Sequence, residues 1–249
     1  MNGLKILSEN RINAQAVLAA TSGSGLTNLY DQKPATCWRS SGSADTVTET
    51  LTAAFANRLN APAAYEFDRI ILLKNNLKSL SAEYVSGGVA HAIAEAAISD
   101  NDEENLIIEL ATTVTADQLN LSAITTVTAD AEKQLGELKV CKQILEVIGL
   151  TNFQRADWRK GGDFRTRDGS LVRWTEAQKQ EGTLTIENIS LAQRDALNEA
   201  IGDNDFLTFV FYSDFDPAAV YEFAVTSAPQ EEFDRKTQYF QITLSLKER

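Results

Sequence analysis

Apolar and polar residues alternate in short runs through the first 148 residues, the period-2 pattern of strands with one buried face. Residues 48–55, 69–73, 106–110, 118–123 and 136–144 carry it, with turn-forming stretches such as Ser22-Gly23-Ser24-Gly25, Ser86-Gly87-Gly88 and 99–104 between them. Helical periodicity is weak, so the pattern predicts an antiparallel β-sandwich over 1–148. The alanine-rich run 89–97 fits a helix as well as two strands and a loop, and the pattern leaves both open.

A different order begins near Gly149. Residues 182–187 alternate as a strand. Ser190, followed three residues later by Gln193, forms a capping-box signature ahead of Leu191, Leu197 and Ile201 at helical spacing. Gly202 is the expected stop of this helix over 191–201. Strands are then predicted at 206–212, 220–226 and 238–246. The fold class is therefore mainly β: a sandwich over 1–148, then an α+β domain over 149–249, rich in strands and with one helix.

Composition narrows the function. The 249 residues are 43% hydrophobic and 23% charged, an ordinary globular balance. With 23 Lys and Arg against 35 Asp and Glu the formal charge is -12. Such a chain repels phosphate backbones and anionic lipid, so neither nucleic-acid binding nor membrane binding is expected. The longest apolar runs, 16–20 and 70–73, fall far short of the roughly 18 residues that cross a bilayer. The opening residues lack an apolar core and cleavage site, and read as a mature chain made in the cytoplasm. Cys37 and Cys141 are too few for a disulfide framework and read as buried thiols; with one histidine, a Cys/His zinc site is not expected.

Catalytic machinery is not evident. His91 lies between alanines without a nucleophile motif, and phosphate-loop, dinucleotide and zinc-protease signatures are missing. The pairs Asp203/Asp205 and Asp214/Asp216 flank turns, where Asp bonds nearby amides. The expectation is a protein that is not an enzyme. One segment departs from the acidic background. A basic arm over 155–174 holds Arg155, Arg159, Lys160, Arg165, Arg167 and Arg173, interleaved with Trp158, Phe164 and Trp174. Base stacking on nucleic acid is one reading. Contact with a neighbouring acidic subunit is the favoured one, because Arg and Trp are enriched at interface hot spots. The candidate interface residues are Arg155, Trp158, Arg159, Arg165, Arg167, Arg173 and Trp174.

The run Asn28-Leu29-Tyr30-Asp31-Gln32-Lys33-Pro34-Ala35-Thr36-Cys37-Trp38, followed by Arg39-Ser40-Ser41-Gly42, resembles the L-x-D-x-D-x-x-T-x-W opening of galactose-binding-like, discoidin-type sandwiches. Residues 65–79 resemble that fold's next strand, and 136–140 its closing strand. The resemblance implies a jelly roll in which Tyr30, Asp31, Thr36, Trp38 and Arg39 form a structural motif and Trp38 plugs the core. It also implies candidate ligands for a structural calcium at Asp31, Thr36 and Glu137. Lys33, however, stands where the family has a second acid, placing an ammonium where a hard cation takes oxygen. The expectation is therefore no cofactor.

More narrowly, W-x-S-S-G-S-x-D and the later D-R-I-x-L-L-x-N-N-L-K resemble structural proteins of tailed-phage virions. That resemblance implies a tail or tail-tip component, assembled in the host bacterial cytoplasm and found in the virion. Its partners would be copies of itself, other virion proteins and, in an alternative reading as a carbohydrate-binding module, a host glycan.

Overall fold

The computed structural model describes residues 3–33, 35–148, 151–165, 171–212 and 219–249, with side chains described except at 148, 151, 155–165, 171–178 and 212. The strands are β1 (Gly3–Leu7), β2 (Val17–Ala20), β3 (Trp38–Arg39), β4 (Glu49–Ala54), β5 (Tyr65–Leu73), β6 (Leu77–Ser86), β7 (Val89–Ile98), β8 (Leu106–Ala116), β9 (Gln118–Thr126), β10 (Gln134–Leu135) and β11 (Glu137–Cys141). They continue with β12 (Gln143–Ile148), β13 (Thr151–Arg165), β14 (Leu171–Ile189), β15 (Leu207–Tyr212), β16 (Ala219–Val225), β17 (Gln230–Asp234) and β18 (Tyr239–Glu248); helix α1 (Leu191–Asp203) precedes β15. The chain is mainly β.

Two compact units result, and their boundary differs from a cut at residue 148. Residues 10–143 form one unit, and residues 1–9 join 144–249 in the other. The reason is strand pairing. β1 is hydrogen-bonded between β12 and β15, so the first strand of the chain completes the sheet of its last hundred residues. The sandwich is thus an insertion between two neighbouring strands, β1 and β12, of a host sheet.

The sandwich has a five-stranded sheet ordered β2-β4-β9-β6-β7 and a three-stranded sheet ordered β11-β5-β8. Their inner faces share one core of aliphatic side chains with Trp38, Phe55 and Phe67 at 0–1% exposure. Strict alternation is broken where the core needs it. A register shift between Phe67 and Arg69 lets Phe67, Ile70 and Leu72 all face inward on β5. On β7, paired to β6, an irregular stretch lets Ile93 and Ala96 both point in, a spacing of three that imitates a helix. The open choice at 89–97 therefore resolves as strand. The expected strand over 136–144 is two strands, β11 and β12, separated at Lys142.

Asn10 closes the sandwich where the chain enters it. This residue is 2% exposed. Its side-chain oxygen accepts from the amides of Ile12 at 3.0 Å and Val140 at 2.9 Å, while its amide nitrogen donates to the carbonyls of Ile12 at 2.8 Å and Leu138 at 3.2 Å. The entering segment is thereby stitched to β11, the strand by which the chain leaves. The outer face of β11 carries a buried ion pair, Lys139 to Glu137 at 2.7 Å.

Trp38 lies fully buried, its indole N–H donating to the Ser22 carbonyl at 3.3 Å. Gly23 is obligatory beside it. With φ of +97°, a β-carbon there would stand 2.1 Å from the Arg39 carbonyl oxygen. Cys141 is buried, but Cys37 is only half-buried, because it falls in the loop just before β3 rather than in a strand.

The host sheet runs β12-β1-β15-β16-β18-β14-β13, with β17 also on β18. Leu4, Ile6, Leu184, Ile186, Phe209, Phe223, Ile242 and Leu244 form its core with Leu197 and Ala200 of α1. The capping box forms: Ser190 accepts from the Gln193 amide at 3.3 Å, and Gln193 accepts from the Ser190 amide at 3.0 Å. The helix does not stop at Gly202. It continues to Asp203, and Asn204 caps it by donating from backbone and side chain to the Ala200 carbonyl at 3.1 and 2.7 Å.

Replacing Trp38 with alanine leaves an indole-sized cavity between the sheets. Trp38→Ala is expected to lower unfolding free energy by about 3–5 kcal/mol, read by chemical denaturation; a loss below about 1 kcal/mol would mean that Trp38 does not plug the core.

Candidate functional site

The strand register sorts the sandwich loops into two ends. Antiparallel pairing of Cys141 with Arg69, Tyr65 with Ala116 and Ala54 with Gln118 places the end near the chain connections, residues 10 and 143. The opposite, distal end collects 21–48, 74–76, 99–105 and 127–136.

Side chains bonded to main chain tie these distal loops together. Asp45 is the hub. Its carboxylate accepts from the Thr126 amide at 3.0 Å, the Thr126 hydroxyl at 3.1 Å and the Asp130 amide at 3.2 Å; its own amide donates to the Asp130 carboxylate at 3.0 Å. Lys133, 1% exposed, donates its ammonium to the Ala44 carbonyl at 3.1 Å and its amide to the Ser40 hydroxyl at 2.9 Å. The backbone N–H of Asp130 holds the Asp45 carboxyl below the usual aspartate range; burial opposes this, while Thr126 and the Lys133 charge reinforce it.

The adjacent asparagines of Leu73-Lys74-Asn75-Asn76-Leu77 serve different loops. Asn75 donates to the carbonyls of Glu103 and Glu104 at 3.2 and 2.9 Å, and its oxygen accepts from the Leu77 amide at 3.1 Å. Asn76 donates to the Glu132 carbonyl and accepts from the Gln134 amide, both at 2.8 Å. Buried Asn101 donates to the carbonyls of Leu77 at 2.7 Å and Glu103 at 3.0 Å. What remains at the surface is a rim of Ser41, Ser43, Thr46, Thr48, Asp102, Thr128 and Asp130, with Val47 and Val127 at 52% and 50% exposure flanking the Asp45 hub.

The motif residues have the following places. Tyr30, half-buried, packs against the core at the end of a 3-10 turn, Leu26–Tyr30. Asp31 accepts from the Lys33 amide at 2.8 Å and the Thr36 hydroxyl at 2.7 Å, closing its turn internally. Arg39 is exposed, 3.7 Å from Glu132. Of the calcium candidates, Asp31 and Thr36 bond to each other while Glu137 is neutralised by Lys139. Among the described residues no group of three or more His, Cys, Asp or Glu is arranged to hold a metal.

His91 is exposed and stacks on Tyr84, with ring centroids 4.9 Å apart. For the arm, β13 and β14 pair along their length from Thr151↔Ile186 to Arg165↔Leu171. The side chains of Arg155, Trp158, Arg159, Arg165, Arg173 and Trp174 lie outside the described residues, as does Arg167 entirely; Asp214 and Asp216 also lie outside them. The polar cluster of Asp45, Asn75, Asn76, Asn101, Thr126 and Lys133 was not singled out by sequence reasoning. Its signal was present in the S-S-G-S-x-D and N-N-L-K strings, short polar residues in loops that main-chain amides and carbonyls favour.

No protein-family model matches the chain, and no curated protein matches it. Solved structures do show likeness. A putative α-L-fucosidase from Bacteroides thetaiotaomicron is 20% identical with a TM-score of 0.46; the match covers 54% of this chain and 29% of the fucosidase. The family 32 carbohydrate-binding module of C. perfringens NanJ, solved with galactose, is 17% identical at a TM-score of 0.44, covering 56% of this chain and 99% of the module. Chitosan-binding module 1 from the chitosanase/glucanase of Paenibacillus sp. IK-5 is 15% identical at a TM-score of 0.44, covering 53% of this chain and 98% of the module.

Because the Asp45 carboxyl is held below its unfolded value, its stabilising effect is complete above about pH 4 and is lost as pH falls through the folded value. Asn at this position offers one acceptor oxygen where the carboxylate offers two. Asp45→Asn should lower Tm at pH 7 and flatten the decline in Tm as pH falls below about 4; parallel Tm–pH curves for the two proteins would remove Asp45 as the hub.

Proposed function

We propose that this chain is a non-catalytic carbohydrate-recognition protein whose inserted sandwich presents its distal loops to a glycan. The observation that carries the reading is the pre-organised distal end. Loops that are cross-linked by Asp45, Asn75, Asn76 and Asn101 lose little conformational freedom on binding, which is the main cost in holding a small polar ligand. Hydroxyl and carboxylate groups on the rim offer hydrogen bonds to sugar hydroxyls. Val47 and Val127 offer an apolar contact for the C–H face of a pyranose, a part that aromatic side chains often play. Both chain connections leave from the other end of the sandwich, so the distal loops are clear of them.

A second reading is favoured by a separate observation. β14 pairs with β18 only from Glu181 onward, so the outer part of the β13–β14 hairpin has no third strand among the described residues. A two-stranded ribbon of this length is marginal alone and suits docking. On the sequence resemblance alone, we propose that it serves assembly with copies of itself and other virion proteins, in the tail or tail tip of a phage virion put together in the host cytoplasm. The two readings are compatible: the ribbon assembles and the sandwich adheres.

A glycan array probed with the full chain tests the first reading. Retention of uncharged glycans is expected, with calorimetry giving a dissociation constant in the micromolar to millimolar range. A Val47→Asp, Val127→Asp double variant should weaken binding at least tenfold at unchanged Tm. An array without retained glycans, or a double variant that binds as well as the parent, would overturn it.

A further inference from the structure

We propose that the β13–β14 ribbon of one copy docks along the β17 edge of a second copy of this chain. The inference rests on the assembly reading of the ribbon and is separate from glycan recognition, since it uses only the host unit.

The donor is a ribbon with free edges. Residues 156–165 pair with 171–181, and from 171 to 180 the hairpin has no further strand neighbour among the described residues. At about 3.4 Å per residue, ten residues past the sheet reach roughly 30 Å. Over 156–180 the sequence holds six basic residues, Arg159, Lys160, Arg165, Arg167, Arg173 and Lys179, against four acids, Asp157, Asp163, Asp168 and Glu176. The whole chain carries -12, so the ribbon is positive where the rest is strongly negative.

The acceptor is β17, which among the described residues pairs only with β18 and whose five residues are all exposed. Its sequence is Gln230-Glu231-Glu232-Phe233-Asp234, three acids and an aromatic. Phe233 is 49% exposed, and Tyr239, paired with Asp234 across the turn, is 45% exposed. Glu231 is already held by Asn198 at 2.7 Å and lies 3.7 Å from Arg194, whereas Glu232 has no ion-pair partner among the described residues. Exposed edge strands with unpaired main-chain groups are templates for strand addition, and a strand of opposite charge is the partner that electrostatics selects. Donor and acceptor differ, so the contact is head-to-tail and propagates into a ring or a filament.

Sedimentation velocity of the full chain over a range of concentration tests this. Association is expected, weakening as salt rises from about 50 to 500 mM. Arg159→Glu with Arg173→Glu, and separately Glu232→Lys, should each weaken association at least tenfold with circular dichroism and Tm unchanged. Joining the three substitutions in one chain leaves both segments negative and should not recover association. A chain monomeric at every concentration, or association indifferent to Glu232→Lys, would overturn the proposal. So would the ribbon retaining single-stranded polynucleotide instead of a second copy.

Discussion

The arrangement depends on the way Asn10 joins the segment that enters the sandwich to the strand that leaves it. A domain placed between two neighbouring strands of another sheet must begin and end at nearly one point. One buried amide side chain meets that need with four hydrogen bonds, to Ile12, Leu138 and Val140. Each of those bonds satisfies a polar group that burial would otherwise leave costly. Because entry and exit are fixed together, β1 and β12 remain neighbours in the host sheet and the sandwich closes on its own core.

The same economy of short polar side chains shapes the other end of the sandwich. Asp45, Asn75, Asn76 and Asn101 bind main-chain groups of loops far away in sequence, which replaces the strand ladders that loops lack. Rigidity there has little value to the core, which Trp38, Phe55 and Phe67 already fill. Rigidity of this kind suits the glycan-holding surface proposed above. In the host unit the logic is reversed: among the described residues the outer ribbon and β17 each have an edge without a strand neighbour, the kind of edge that accepts a further strand.

Much of the fold was legible in the sequence because alternation is a direct image of a half-buried strand. The sandwich strands around Leu51, Leu119 and Leu121 follow it, and the Ser190–Gln193 box marked the helix start. Legibility failed where tertiary structure breaks local periodicity. The shifts at Phe67 and along β7 place residues three apart on one face, and the helix passes Gly202 because Asn204 supplies the cap. The insertion was invisible for a different reason. Gly3–Leu7 reads as a strand anywhere, and only its pairing with β15 assigns it to the last hundred residues. Of the distal site, the strings were seen, but the loops they would join were not, since hydrogen bonds across 81 and 56 positions leave no local pattern.

The chain divides into two units with separate cores, and Asn10 belongs to the closure of one of them. Native-state hydrogen exchange on the full chain, comparing the parent with Asn10→Ala, measures this directly. Faster exchange is expected throughout β5, β9 and β11, with the amides of β14, β16 and β18 unchanged. Equal loss of protection in both groups of strands, or none in either, would contradict it.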